Sequence, residues 1–195
     1  ICCVTDEFSA VNCLETIKQG FETKLLVCYE TREDVIHLVK IVDKILPRML
    51  KSEVELEFHK ISKFGKKSED LLSKNSLITN ILIKSAKEKQ ISHISLATSP
   101  LIFPSTYVET LQKRIFSAGI IPHISLSGID SEIMKNAKEI GMEKYVPKIE
   151  KFLKSNLTKS KSKLKNNEKT VKKIIKVKLG PNNVHTILDS LEIEH

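Results

Sequence analysis

The sequence of 195 residues has no run of about 18 apolar residues, so no segment of it reads as a membrane span. It has no basic, apolar and small-residue leader pattern at its start. It opens "ICCVTD" without a methionine and passes straight into a strand-like run, which leaves room for residues upstream. No GxSxG, no HExxH and no serine with a placed histidine–acid pair occurs, which argues against a nucleophile-type enzyme. The four cysteines, Cys2, Cys3, Cys13 and Cys28, form no CxxC pair and have no histidine at ligand spacing. They read as buried, reduced thiols of a cytoplasmic protein and not as a metal site. The six histidines (His37, His59, His93, His123, His185 and His195) are scattered, with no two at i, i+4 beside an acid. His93 and His123 open strands, so surface or edge positions are expected for them.

Glycine is missing where it would matter most. "VTDEFSAVNCLETIKQG" (4–20) reads as the turn from a first strand into a first helix, and it holds no glycine before Gly20. In α/β proteins this turn is where a nucleotide's phosphates sit, and it is usually glycine-rich because backbone N–H groups must approach the anion closely.

What is present is charge, unevenly placed. The formal net charge is +8, yet twelve lysines against Glu150 and Glu168 lie between Lys148 and Lys178. The rest of the chain is therefore close to neutral, and the basicity belongs to one segment.

Apolar runs of strand length fall at 1–4, 24–30, 54–61, 93–98 and 120–126, and segments of helical period separate them. Val11, Leu14 and Ile17 suit a first helix that stops at Gly20. Val35, Leu38, Val39, Val42, Leu46 and Met49 outline a second, and 77–89, 107–119 and 131–141 a third, fourth and fifth. Strict β–α alternation predicts an α/β fold with a five-stranded parallel sheet and helices on both faces. Ligands in such sheets bind beyond the carboxyl ends of the strands. The predicted organisation is an α/β domain over 1–149, a basic linker over 150–170 and a small strand–helix extension over 171–195. The extension is too small for a core of its own, so it must dock on the body, on a partner protein or on another copy.

Three segments carry a family resemblance: "SAVNCLETIKQGFETKLLVCY" (9–29), "IKSAKEKQISHISLATS" (83–99) and "PHISLSGIDSEIMKNAKEIGM" (122–142). With the order of elements, they resemble the ATP-pyrophosphatase (PP-loop) domain of the 4-thiouridine synthetase, or ThiI-type, family over roughly residues 1–147. The resemblance implies a fold of the HUP, or adenine nucleotide alpha hydrolase-like, kind, with ATP or AMP as nucleotide and tRNA thiolation as the family chemistry. In that family the first turn carries SGGxDS. Aligned on Ser9, this chain has Val4, Thr5, Asp6, Glu7, Phe8 and Ser9 there, and only the final serine is kept. Asp6 and Glu7 stand where phosphates would go. At about 4 Å and an effective dielectric near 20, each such charge pair costs on the order of 4 kcal/mol. Pyrophosphate binding in the family's manner is thus expected to be lost. The pocket remnant is Thr5, Asp6 and Ser9, with Thr98 and Ser99 after the fourth strand. The family's acidic residue after that strand and its cysteine near the third helix are also absent. "TSPLIFPST" (98–106), with Phe103, is expected to plug the vacated site, to line a small-ligand pocket with Thr5, Thr98, Ser99, Ser105 and Thr106 as hydrogen-bonding groups, or to form a partner contact. "SGIDS" (127–131) nearly repeats the family motif but follows the last strand. A tight turn at Gly128 with Asp130 capping the next helix is the expectation there.

Lys159, Lys161, Lys163, Lys165, Lys169, Lys172 and Lys173 are the candidate nucleic-acid contacts. Lysine without arginine or aromatics attracts phosphate without reading bases, although the same composition also makes a soluble linker. The sequence therefore points to a non-catalytic PP-loop-like protein that needs no cofactor. It would associate with RNA (tRNA or rRNA) and pair with a protein partner or a second copy through the extension. Two other readings are a tRNA-thiolating ATP-dependent enzyme with an altered loop and a small-nucleotide sensor.

Overall fold

The computed structural model describes residues 1–20, 23–65, 68–96, 105–124 and 170–193, with isolated positions between 135 and 147. The elements in chain order are β1 (Cys2–Val4), α1 (Glu7–Lys18), β2 (Leu25–Tyr29), α2 (Arg32–Ile45), a 3-10 turn (Leu46–Arg48), β3 (Glu53–Ile61) and α3 (Ser68–Glu88). They continue with β4 (His93–Leu96), α4 (Ser105–Ser117), β5 (Ile121–Ile124), β6 (Thr170–Lys178) and α5 (Asn183–Ser190).

One sheet runs in the order β5-β4-β1-β2-β3-β6. β1 pairs in parallel with β2 and β4, β2 with β3, and β4 with β5. The order reverses between β1 and β4, so a crevice is expected beyond their carboxyl ends. The chain alternation predicts a purely parallel sheet of five strands. The structure differs at one edge, where β6 pairs antiparallel with β3 from Glu53↔Lys178 to Ile61↔Thr170 and makes a mixed sheet of six.

Strand periodicity sends alternate residues to two cores. Cys2, Val4, Leu25, Val27, Val54, Leu56 and Phe58 meet α1, α2 and α5 on one face, while Ile1, Cys3, Leu26, Cys28 and Ile61 meet α3 and α4 on the other. The short central strands are apolar toward both layers, as strands covered by helices on two sides must be. All four thiols are free and buried. Cys3 and Cys28 bring their sulfurs to 3.7 Å. Burial, and then Cys28 beside it, pushes the Cys3 thiol well above its usual range.

α3 starts at Ser68, nine residues before its apolar period becomes legible at Leu77, because the adjacent Leu71 and Leu72 are the only apolar residues among those nine and set no period. Arg114 of α4 donates to Ser76 Oγ at 2.9 Å and to Asn80 of α3, which joins the two helices of that layer. The extension docks on the body. Ile175, Val177, Ile187 and Leu188 enter the core shared with α2. Asn183 donates to Asp43 of α2 at 3.1 Å and accepts from the Gly180 N–H at 2.8 Å, so its buried amide is satisfied. Thr98, Ser99, Phe103, "SGIDS" and the basic segment up to Lys169 lie outside the described residues, as does most of the predicted fifth helix.

Because Ile187 is fully buried in this common core, Ile187→Ala should lower the global stability by about 2–5 kcal/mol. Urea unfolding followed by circular dichroism checks this. An unchanged midpoint for the main transition would mean that the extension is not part of the cooperative unit.

Candidate functional site

The β1–α1 turn forms the mouth at the reversal of strand order. α1 begins with a reciprocal capping box. The Asp6 carboxylate accepts from the Ser9 N–H at 2.8 Å, and Ser9 Oγ accepts from the N–H groups of Thr5 at 2.9 Å and Asp6 at 3.0 Å. The same hydroxyl donates to the Asp6 carbonyl at 2.8 Å. Three backbone donors that could face an anion are thus taken by the turn itself. Burial raises the Asp6 pKa above the usual carboxylate value, against the lowering effect of its bonds to Ser9.

The neighbouring groups continue this closed, acidic pattern. Glu7 lies 2.7 Å from His37 Nε2 on α2. Glu30, just after β2, accepts from Lys74 of α3 at 2.5 Å and from the Phe64 N–H at 2.9 Å. Lys74 is therefore held by Glu30 at the rim. α2 starts with a second capping box, in which Thr31 and Asp34 exchange bonds of 3.1 Å. Of the predicted pocket residues, Thr5, Asp6 and Ser9 are brought together. Thr98 and Ser99 are outside the described residues. Ser105 and Thr106 open α4.

A second polar cluster lies under the β3–β6 edge. Glu57 and His59, two apart on β3, point to the same face, and Glu57 is 1% exposed. Its carboxylate takes His59 Nε2 at 2.6 Å, Ser85 Oγ at 2.8 Å, Lys89 Nζ at 2.9 Å and Lys172 Nζ at 3.3 Å. Burial opposes its charge, but the bonds from His59, Lys89 and Ser85 prevail and hold its pKa well below the usual range. Glu55 shares Lys89 at 2.5 Å, and Glu88 takes Lys172 at 2.7 Å. His59 Nδ1 on the other side of the ring is buried and has no hydrogen-bond partner among the described residues. This network joins β3, α3 and β6. Its carboxylate is saturated and enclosed, so it acts as a lock and not as an open site.

Lys172 and Lys173 therefore differ from the remaining predicted contacts. Both are on β6, Lys172 bound to Glu57 and Glu88 and Lys173 lying 3.0 Å from Glu192. Lys159, Lys161, Lys163, Lys165 and Lys169 are outside the described residues. Sequence reasoning missed Glu57, His59, Ser85 and Lys89. The available signal was an acid and a histidine on one face of a strand, with a lysine-bearing strand to pair beside it.

A cleft of about 200 Å³ opens at the opposite end of the sheet, where β2 and β3 begin. Thr23, Lys24, Met49, Leu50, Lys51, Glu55 and Lys176 are among its lining residues. Among the described residues no cluster of three histidine, cysteine or carboxylate side chains could hold a metal ion, and no helix is long and apolar enough to cross a membrane.

Glu57 gives a pH prediction. Its folded pKa lies below the ordinary 4.5, so its stabilisation is complete above that value and declines as pH falls through the folded pKa. Glu57→Gln should lower stability at neutral pH by about 3–5 kcal/mol and flatten the acid limb. Urea midpoints measured from pH 3 to 8 on both proteins check this, and parallel acid limbs would contradict it.

The chain matches no family model, no curated protein and no solved structure.

Proposed function

We propose that this is a non-catalytic protein of the PP-loop, HUP-like kind that associates with RNA through its basic segment. The observation that carries the reading is the self-capped mouth. Asp6 and Ser9 occupy the Thr5, Asp6 and Ser9 N–H groups, and Glu7 adds a second carboxylate beside the first. A sheet whose order reverses between β1 and β4 offers the frame of a nucleotide fold, while three of the N–H groups at its first turn are engaged within the turn.

Anion attraction falls instead to the lysines before β6. Lys159, Lys161, Lys163, Lys165 and Lys169 follow one another closely, with serine, asparagine and a single leucine and glutamate between them. Point charges on flexible stems neutralise phosphates without reading bases, so the association should depend on salt and little on sequence. Lys172 and Lys173 contribute less to it than composition implies, since both have carboxylate partners within the fold.

The test is fluorescence anisotropy with a labelled 20-nucleotide single-stranded RNA between 50 and 200 mM salt. Each lysine–phosphate contact contributes about 0.7 to the slope of log affinity against log salt. Replacing the five lysines from Lys159 to Lys169 with glutamine should therefore remove roughly 3 to 4 from that slope. An affinity that ignores salt, or a variant with an unchanged slope, sinks the reading.

A further inference from the structure

The cleft at the amino end of β2 and β3 is not used by the mouth or by the buried lock. Four pieces of chain form it: Thr23 and Lys24 before β2, Met49 to Lys51 after the 3-10 turn, Glu53 to Glu55 at the start of β3, and Lys176 near the end of β6. We propose that it is a phosphate-binding cleft, and, resting on the RNA reading above, a second contact for the polynucleotide.

Its charge balance supports this. Lys24, Lys51 and Lys176 line it, and the carboxylates facing them are Glu53 and Glu55. Glu55 is already answered by Lys89 at 2.5 Å. Its carboxyl is held below the usual range first by Lys89 and then by Lys24 and Lys176. Glu53 stands opposite Lys178 across the β3–β6 ladder. Of the lining side chains themselves, three are lysines and two are carboxylates, so the opening keeps one cation more than it has carboxylates. Lys24 is only partly exposed, so its field is screened less than that of a fully solvated ammonium.

The walls suit an ester more than a bare ion. Met49 and Val54 give the cleft an apolar side, and Leu50 is 67% exposed at its lip. A phosphate flanked by a ribose or another apolar group would meet ammonium groups on one side and this surface on the other. The mouth lacks that pairing, because its Thr5, Asp6 and Ser9 N–H groups are engaged and its carboxylates repel the same ligand. Lysines at the cleft recognise charge without a fixed fork geometry, so a phosphate source of either kind fits: a polynucleotide or a small phosphate ester.

The test uses the full chain and the triple variant Lys24→Gln, Lys51→Gln, Lys176→Gln, with Lys60→Gln at the far end of β3 as control. Inorganic pyrophosphate is titrated while backbone amide shifts are followed, and the 20-nucleotide RNA is measured by anisotropy across salt. Pyrophosphate should shift the Thr23, Lys24, Lys51 and Lys176 amides in the parent and control but not in the triple variant. The RNA salt slope should fall by roughly 2 in the triple variant. Absence of shifts at those amides in the parent overturns the cleft, whatever RNA does. Localised shifts without RNA binding would keep the cleft, remove the RNA reading and assign a small phosphate ester as its ligand. An unchanged salt slope in a triple variant that has lost the pyrophosphate shifts would overturn the polynucleotide contact alone.

Discussion

Backbone donors at the start of a helix need acceptors, and at α1 they come from inside the turn. Ser9 closes on Thr5 and Asp6, and Asp6 closes on Ser9. This fixes where β1 ends and α1 begins, and thereby where the first crossover lays α1 on the sheet. A glycine-rich turn would leave those N–H groups for a ligand, whereas here the turn is complete without one. The constraint that builds the centre of the fold also occupies three N–H groups that could otherwise face an anion.

The sheet's far edge is organised by a different charge. Glu57 is buried where β3, α3 and β6 meet, and its partners come from all three elements. Apolar contacts on the opposite face give β6 and α5 their docking energy, while the carboxylate specifies which lysine of β6 sits where. A shift of β6 by one residue would turn Ile175 and Val177 out of the core and move Lys172 off Glu57. In sequence, the lysine-rich segment up to Lys169 lies between α3 and β6.

Much of this was legible in the sequence, and the failures have physical causes. Gly20 closes the first helix as its position predicts, with the positive backbone angle that glycine permits. The α2 face read from Val35 to Leu46 is the buried face. The start of α3 was missed because "SEDLLSKNS" has too few apolar residues to set a period. The direction of β6 could not be read, since "VKKIIKVK" alternates equally well for a parallel or an antiparallel neighbour. Glu57 and His59 alternate with apolar residues as the wet side of a half-buried strand would, and only cover by α3 and β6 makes them interior. At the mouth, the loss of glycine was legible. The reciprocal bonds of the capping box were not, because an aspartate and a serine three apart serve equally as cap or as ligand contact.

The central claim is that the Thr5, Asp6 and Ser9 N–H groups are satisfied by the turn's own residues. It is tested most directly by titrating ATP with Mg²⁺ into isotope-labelled protein and following the Thr5, Asp6 and Ser9 amides. The account predicts that these resonances stay in place up to millimolar nucleotide. Saturable shifts confined to these three amides, with affinity in the micromolar range, would contradict it.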